Sequence, residues 1–160
     1  LDISAIYSSP IERASHTAEI VAKNNSWDCK LDDRLTEIDM GKFTHMNYDD
    51  MFAKYGNVFL KFYENDPVIA EHEVETFPEV QRRVLGMVDH IIEKHKNENV
   101  ILVTHMDPIK SMLSTVMDLK PKTLYELIIA NASLTVINEQ ERKFSLSAIN
   151  AMDIDRYYQT

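Results

Sequence analysis

No disulfide can form within this chain, because its 160 residues include a single cysteine, Cys29. That scarcity suits a reducing, cytoplasmic setting and leaves Cys29, between Trp27 and Leu31, as a small apolar side chain for the interior. Glycine is nearly as scarce. With only Gly41, Gly56 and Gly86, a glycine-rich nucleotide loop is excluded. Basic charge is in deficit: 17 Lys and Arg stand against 26 Asp and Glu, a net charge of −9. This argues against non-specific binding to nucleic acid or to an anionic membrane. A local pair of cations in a cleft still suffices for one phosphate. No apolar run approaches membrane-spanning length, and no signal peptide opens the chain.

What is present is globular in character, 44% hydrophobic and 27% charged, and long enough for one domain over residues 1–160 with a real core. Ile3 to Tyr7 reads as a strand, followed by a helix from Pro10 to about Asn24 with Ala14, Thr17, Ala18 and Val21 as its buried stripe. Leu31 to Phe43 reads as irregular, anchored by Leu35 and Ile38. Tyr48 to Tyr63 predicts one or two short helices, ended at Asn65-Asp66-Pro67, and 67–75 an acidic loop. Thr76-Phe77-Pro78-Glu79 is a capping box opening a long helix to about Asn97. Val100 to Thr104 has the pattern of a strand buried on both faces. Asp107 and Pro108 start another helix, with Asp107 as its cap. A further helix is expected over 121–129, and a late strand pair at Leu134–Ile137 and Phe144–Ala148. Strands alternating with helices predict an α/β three-layer sandwich with a mainly parallel central sheet.

Two corners stand out, since ligands in such sheets bind beyond the carboxyl ends of the strands. At the first, Ser9 is placed to cap the next helix, Pro10 suits its first position and Glu12 falls where a capping box needs it. Arg13 is then a misfit, because a cation in the first turn opposes the helix dipole. An anion bound there removes the conflict. The residues alone also allow an ordinary surface arginine. At the second corner, His105 follows the buried strand Val100–Thr104 directly; it reads equally as a hydrogen-bonded corner residue. Glu37, taken alone, reads as an exposed acid. No histidine pair has the spacing and carboxylate company of a metal site: His16, His90 and His95 fall on helices, His45 and His72 in loops.

In order along the chain, three blocks resemble the histidine phosphatase superfamily, the phosphoglycerate mutase-like fold. Ser8-Ser9-Pro10-Ile11-Glu12-Arg13-Ala14-Ser15-His16-Thr17-Ala18 is similar to Ser-Ser-Pro-x-x-Arg-Ala-x-x-Thr-Ala. Arg34-Leu35-Thr36-Glu37-Ile38-Asp39-Met40-Gly41-Lys42-Phe43 resembles Leu-x-Glu-Ile-x-x-Gly-x-Trp. Val100-Ile101-Leu102-Val103-Thr104-His105 resembles the apolar strand that ends in the second catalytic histidine. The resemblance implies that Arg13 and His105 bind the phosphoryl group and that Glu37 protonates the leaving group. It gives Ser9 and His45 a weaker, substrate-side role and residues 44–75 that of a lid or insertion. It implies a phosphatase acting on a small phosphomonoester through a phosphohistidine, with a phosphomutase or a non-catalytic phosphate-binding module as alternatives. No metal or organic cofactor is needed, the partner is a small phosphorylated metabolite, and a homodimer is open.

Three departures from the family pattern stand beside this. The family's nucleophile lies in an Arg-His-Gly motif, and no Arg-His pair occurs in these 160 residues. The first residue is Leu1 and a strand follows almost at once, so an upstream segment carrying that motif is expected to be missing. The chain alone should then be inactive and leave a gap in its sheet. After His105, where many members have Gly-Gly, stands Met106-Asp107-Pro108-Ile109-Lys110, like the His-x-Asp-Pro-Ile-Lys of one family branch. Lys42-Phe43-Thr44-His45 replaces x-Trp-Glu-Gly.

Overall fold

The computed structural model describes residues 2–152. Its axis is β1 (Ile3–Ser8), an apolar run of β-favouring residues. In chain order there follow α1 (Glu12–Asn25), β2 (Cys29–Leu31), 3-10 turns at Asp33–Leu35 and Gly41–Phe43, α2 (Tyr48–Tyr55), α3 (Val58–Glu64), α4 (Pro67–Glu71), α5 (Phe77–Lys94), β3 (Asn99–Val103), α6 (Met106–Met117), α7 (Pro121–Glu126), β4 (Leu134–Gln140) and β5 (Lys143–Ala151). β1 pairs in parallel with β2 on one edge and β3 on the other. The antiparallel hairpin β4–β5 forms a sheet of its own. Among the described residues, β3 has no ladder partner on its second edge.

Both faces of the parallel sheet are covered, as its near-continuous apolar strands require. On one face α1 packs Ala18 and Ala22 against Ile6, Ile101 and Val103. On the other, α5 brings Met87 and Ile91 onto Ala5, Tyr7, Val100 and Leu102. Helix, sheet and helix make the three layers that the alternation of elements predicts. A third cluster, including Phe62, Ile69, Val80, Val84, Met112 and Leu124, joins α3 through α7. The aromatics of 44–75 divide accordingly: Phe62 and Tyr63 are buried, while Tyr48 and Phe52 are about half exposed. No helix among the described residues is long and apolar enough to cross a membrane.

Several local expectations give way to tertiary structure. Ser9 does not cap α1. Its N–H bonds the Val103 carbonyl at 2.9 Å, extending the β1–β3 ladder, and the helix starts later with Ile11 as an uncapped N-cap. Thr17 is exposed and donates to the Arg13 carbonyl of its own helix, so Ala22 takes its place in the buried stripe. Cys29 is only half-buried, and Cys29–Leu31 is a strand too short to show a period in sequence. Residues 67–71 form a helix because Asp66 caps it through the Val68 N–H and Pro67 fits its first position. The capping box at Thr76 and Glu79 forms, and α5 ends at Lys94, three residues before the expected Asn97. Gly41 sits at φ +48°, where an added Cβ would lie 2.2 Å from the Glu73 carbonyl oxygen, so only glycine lets this turn close onto the end of α4.

Candidate active site

β1 and β3 run side by side, and each ends in a tight corner that opens a helix: α1 after β1, α6 after β3. Neither helix has a side-chain cap at its N-terminus, the N-cap residues being Ile11 and His105. Two positive dipole ends thus stand at the carboxyl edge of the sheet, where an oxyanion is favoured; at the start of α6, Pro108 has no N–H and the Asp107 N–H is taken by Glu37. The strands bring their corner residues into contact: His105 Nε2 and Ser9 Oγ share a hydrogen bond at 2.8 Å. Ser9 is fully buried and also accepts from the Ile11 N–H. Arg13 projects from the first turn of α1 and makes no ion pair among the described residues. Its charge reaches both His105 and Glu37.

Glu37 comes from an irregular loop, and that loop is held from behind. The Arg83 guanidinium on α5 forks onto Glu75 (Nε–Oε1 2.6 Å, Nη2–Oε2 2.8 Å). It also donates to the carbonyls of Arg34, Thr36 and Glu37 at 2.9, 2.7 and 3.3 Å. The Thr104 hydroxyl, one residue before His105, donates to the Leu35 carbonyl at 2.6 Å and ties the loop to the end of β3. The Ile38 N–H then fixes Glu37 Oε1 at 3.0 Å. Nothing in the sequence marks Arg83 for this task; on a helical wheel it is a polar residue beside a core stripe.

Burial and the neighbouring Asp107 carboxyl push Glu37 up to about pH 7. Burial, with Arg13 and Arg83 nearby, pulls His105 down to about 4. The unliganded corner therefore holds a neutral imidazole and a carboxylic acid at mildly acid pH. Arg83 already pairs with Glu75; Arg13, without an ion pair among the described residues, is the cation whose charge a phosphate dianion would balance. Asp107, expected to cap α6, does not. It is buried in the first turn, and its carboxylate accepts from the Tyr63 hydroxyl of α3. A cavity of about 600 Å³ opens on Glu37, walled by Thr36, Asp39, Glu73, Glu75 and Arg83. Its acidic lining does not include Arg13 or His105, so charge argues against a phosphoryl group there. His45 lies in an exposed turn at φ +67°, with no bond to the corner among the described residues.

The acid also leaves a signature in stability. Folded Glu37 keeps its proton to about pH 7, whereas an unfolded glutamate releases it near 4.5. The unfolded chain thus binds fewer protons across that window, and stability from this residue falls as pH rises through it. Glu37→Gln abolishes the effect. From pH 4.5 to 7 the unfolding free energy of the variant is expected to gain on the parent by up to ~1.4 kcal/mol per pH unit. Urea unfolding of both proteins at four pH values checks this, and a pH-independent difference contradicts it.

Comparison with known proteins bears on the family and the fold. The family model of the histidine phosphatase superfamily (branch 1) matches residues 1–152. The 2,3-bisphosphoglycerate-dependent phosphoglycerate mutase of Thermoplasma acidophilum is 34% identical over 159 residues, 99% of this chain and 75% of that protein. Phosphoserine phosphatase 1 of Hydrogenobacter thermophilus is 27% identical over 148 residues, 92% of this chain and 70% of that one. Among solved structures, Bacillus stearothermophilus YhfR has a TM-score of 0.84 at 27% identity, over 96% of this chain and 76% of its own. With the family model covering nearly the whole chain and the fold matching, the protein belongs to the histidine phosphatase superfamily, branch 1.

Proposed function

We propose that the protein is a phosphatase for a small phosphomonoester and works through a phosphohistidine. The observation that carries this is the meeting of His105 and Ser9, with the Arg13 charge acting on His105, at two helix N-termini. Such a site answers what phosphoryl transfer needs, which is positive charge around the equatorial oxygens and fixed geometry. A histidine nitrogen attacks phosphorus, and the ester P–O bond breaks. The departing oxygen takes the Glu37 proton. Water then attacks phosphorus, the P–N bond breaks, phosphate leaves, and the water's proton returns to Glu37.

The nucleophilic imidazole in this reading comes from an Arg-His-Gly segment that these 160 residues do not contain, and the chain alone does not turn over. The edge of β3 beside His105, which has no partner among the described residues, and the separate β4–β5 sheet favour it, because one more parallel strand there would end beside His105. Residues 44–75 serve as the substrate-selecting lid, with Ser9 and His45 on the substrate side. A cytoplasmic location suits the single cysteine. The relative named as a mutase at 34% identity favours a second reading, a phosphomutase that retains its intermediate and returns the phosphoryl group to the substrate.

Supplying the segment, on the same chain or in trans, tests this. A panel of phosphomonoesters should then release phosphate, and ³¹P NMR should show an alkali-stable, acid-labile phosphoramidate. Isomerised ester in place of phosphate supports the mutase. A supplemented protein that binds phosphate and forms neither product is a binding module, and the phosphatase reading falls.

A further inference from the structure

Behind Glu37 lies a cluster that the scheme above does not use. Asp107, Lys110 and Tyr63 are 5%, 2% and 5% exposed, a depth at which charges need partners. Asp107 and Lys110 stand three residues apart on α6 and so share a face. The Tyr63 hydroxyl, from α3, donates to Asp107 Oδ1. The Lys110 ammonium lies 5.0 Å from the centre of the Tyr63 ring. The Asp107 carboxyl and its backbone N–H in turn lie against the Glu37 carboxyl.

Two carboxyls so close cannot both ionise at ordinary cost, so the pair holds one proton. Its place is decided by the surroundings. Burial raises both carboxyls, but Asp107 receives an O–H donor and faces an ammonium, and both of these favour its charged form. Glu37 has neither. The Ile38 and Asp107 N–H groups bond the Glu37 carboxyl and favour its charge, but burial and the Asp107 carboxylate outweigh them, so the proton stays on Glu37. Arg13 is the cation that pulls Glu37 the other way, and Arg83 touches only the Glu37 carbonyl. A bound phosphate dianion cancels the pull of Arg13.

We propose that Asp107 is the positioning residue for the general acid: held as a carboxylate by Tyr63 and Lys110, it keeps the shared proton on Glu37, ready for the leaving oxygen. The inference rests on the phosphatase reading for its catalytic meaning, but not for its physics. It also gives the lid a chemical link to the acid, since Tyr63 belongs to residues 44–75.

The test is a ¹³C NMR titration of side-chain carboxyls in the chain itself, with and without inorganic phosphate. Asp107→Asn should lower the Glu37 midpoint by about one pH unit or more, a tenfold or greater rise in its acid constant. Tyr63→Phe should raise the Asp107 midpoint and lower that of Glu37. Phosphate should raise the Glu37 midpoint in the parent. An unmoved Glu37 in folded Asp107→Asn overturns the proposal. Where that variant fails to fold, Tyr63→Phe decides: a lowered Glu37 midpoint supports the pair, an unmoved one ends it. No nucleophile takes part, so the two readings fail separately. A shifted Glu37 in a protein that turns over nothing once the histidine segment is supplied refutes the phosphatase and leaves the carboxyl pair standing.

Discussion

Glu37→Gln is expected to slow hydrolysis of alkyl phosphomonoesters by about 10²- to 10⁴-fold, the range for loss of a positioned general acid. An alkoxide is a poor leaving group and needs its proton as the P–O bond breaks. Nitrophenolate does not, so the same variant should lose far less on nitrophenyl phosphate. The substitution is nearly isosteric. The glutamine carbonyl can still accept the Ile38 N–H that holds Oε1 at 3.0 Å, and the Arg83 contacts are to the loop backbone, which the change leaves alone. The measurement is kcat on matched alkyl and nitrophenyl esters, with the Arg-His-Gly segment supplied. Equal losses on both, or none, would mean that Glu37 does not deliver the proton. The acid limb also has a direction: with Glu37 raised to about 7, parent turnover on alkyl esters should decline above that pH.

Arg13→Ala is expected to weaken phosphate and vanadate binding by about 100-fold. Two charge-assisted hydrogen bonds at roughly 1.5 kcal/mol each give a factor of that size. Arg13 is exposed and makes no ion pair among the described residues, so its removal should leave the thermal midpoint nearly unchanged. Arg13→Lys keeps the charge but not the planar fork and should fall between the two. Calorimetric titration of phosphate into the chain at low salt measures all three, without any need for turnover. Alanine binding as well as arginine would place the anion elsewhere. His105→Ala offers a contrast, because His105 is buried and bonded to Ser9, and its loss should lower stability as well as affinity.

The fold was largely legible because its signals are local. The apolar strands ending before Ser9 and at Val103, the Thr76–Glu79 box and the hairpin of β4 and β5 each announce themselves within ten residues. Arg13, Glu37 and His105 stood out only as an ordered set, since each alone has an ordinary reading, and their roles remain proposals. What escaped is what depends on distant partners. Ser9 carries the pattern of a cap, but Val103 across the ladder keeps it in the sheet. Asp107 stands before a proline at a helix start, where a cap belongs, yet its partner Tyr63 is 44 residues away. Arg83 reaches three carbonyls in another segment, and no helical period encodes that. The Cys29–Leu31 strand is set by β1 beside it rather than by its own three residues.

The Arg83 fork has a kinetic consequence. One guanidinium pins the backbone on both sides of Glu37, so under the proposed mechanism the entropy of ordering this carboxyl is lost on folding and not at each encounter. Viscosity should then leave proton delivery untouched.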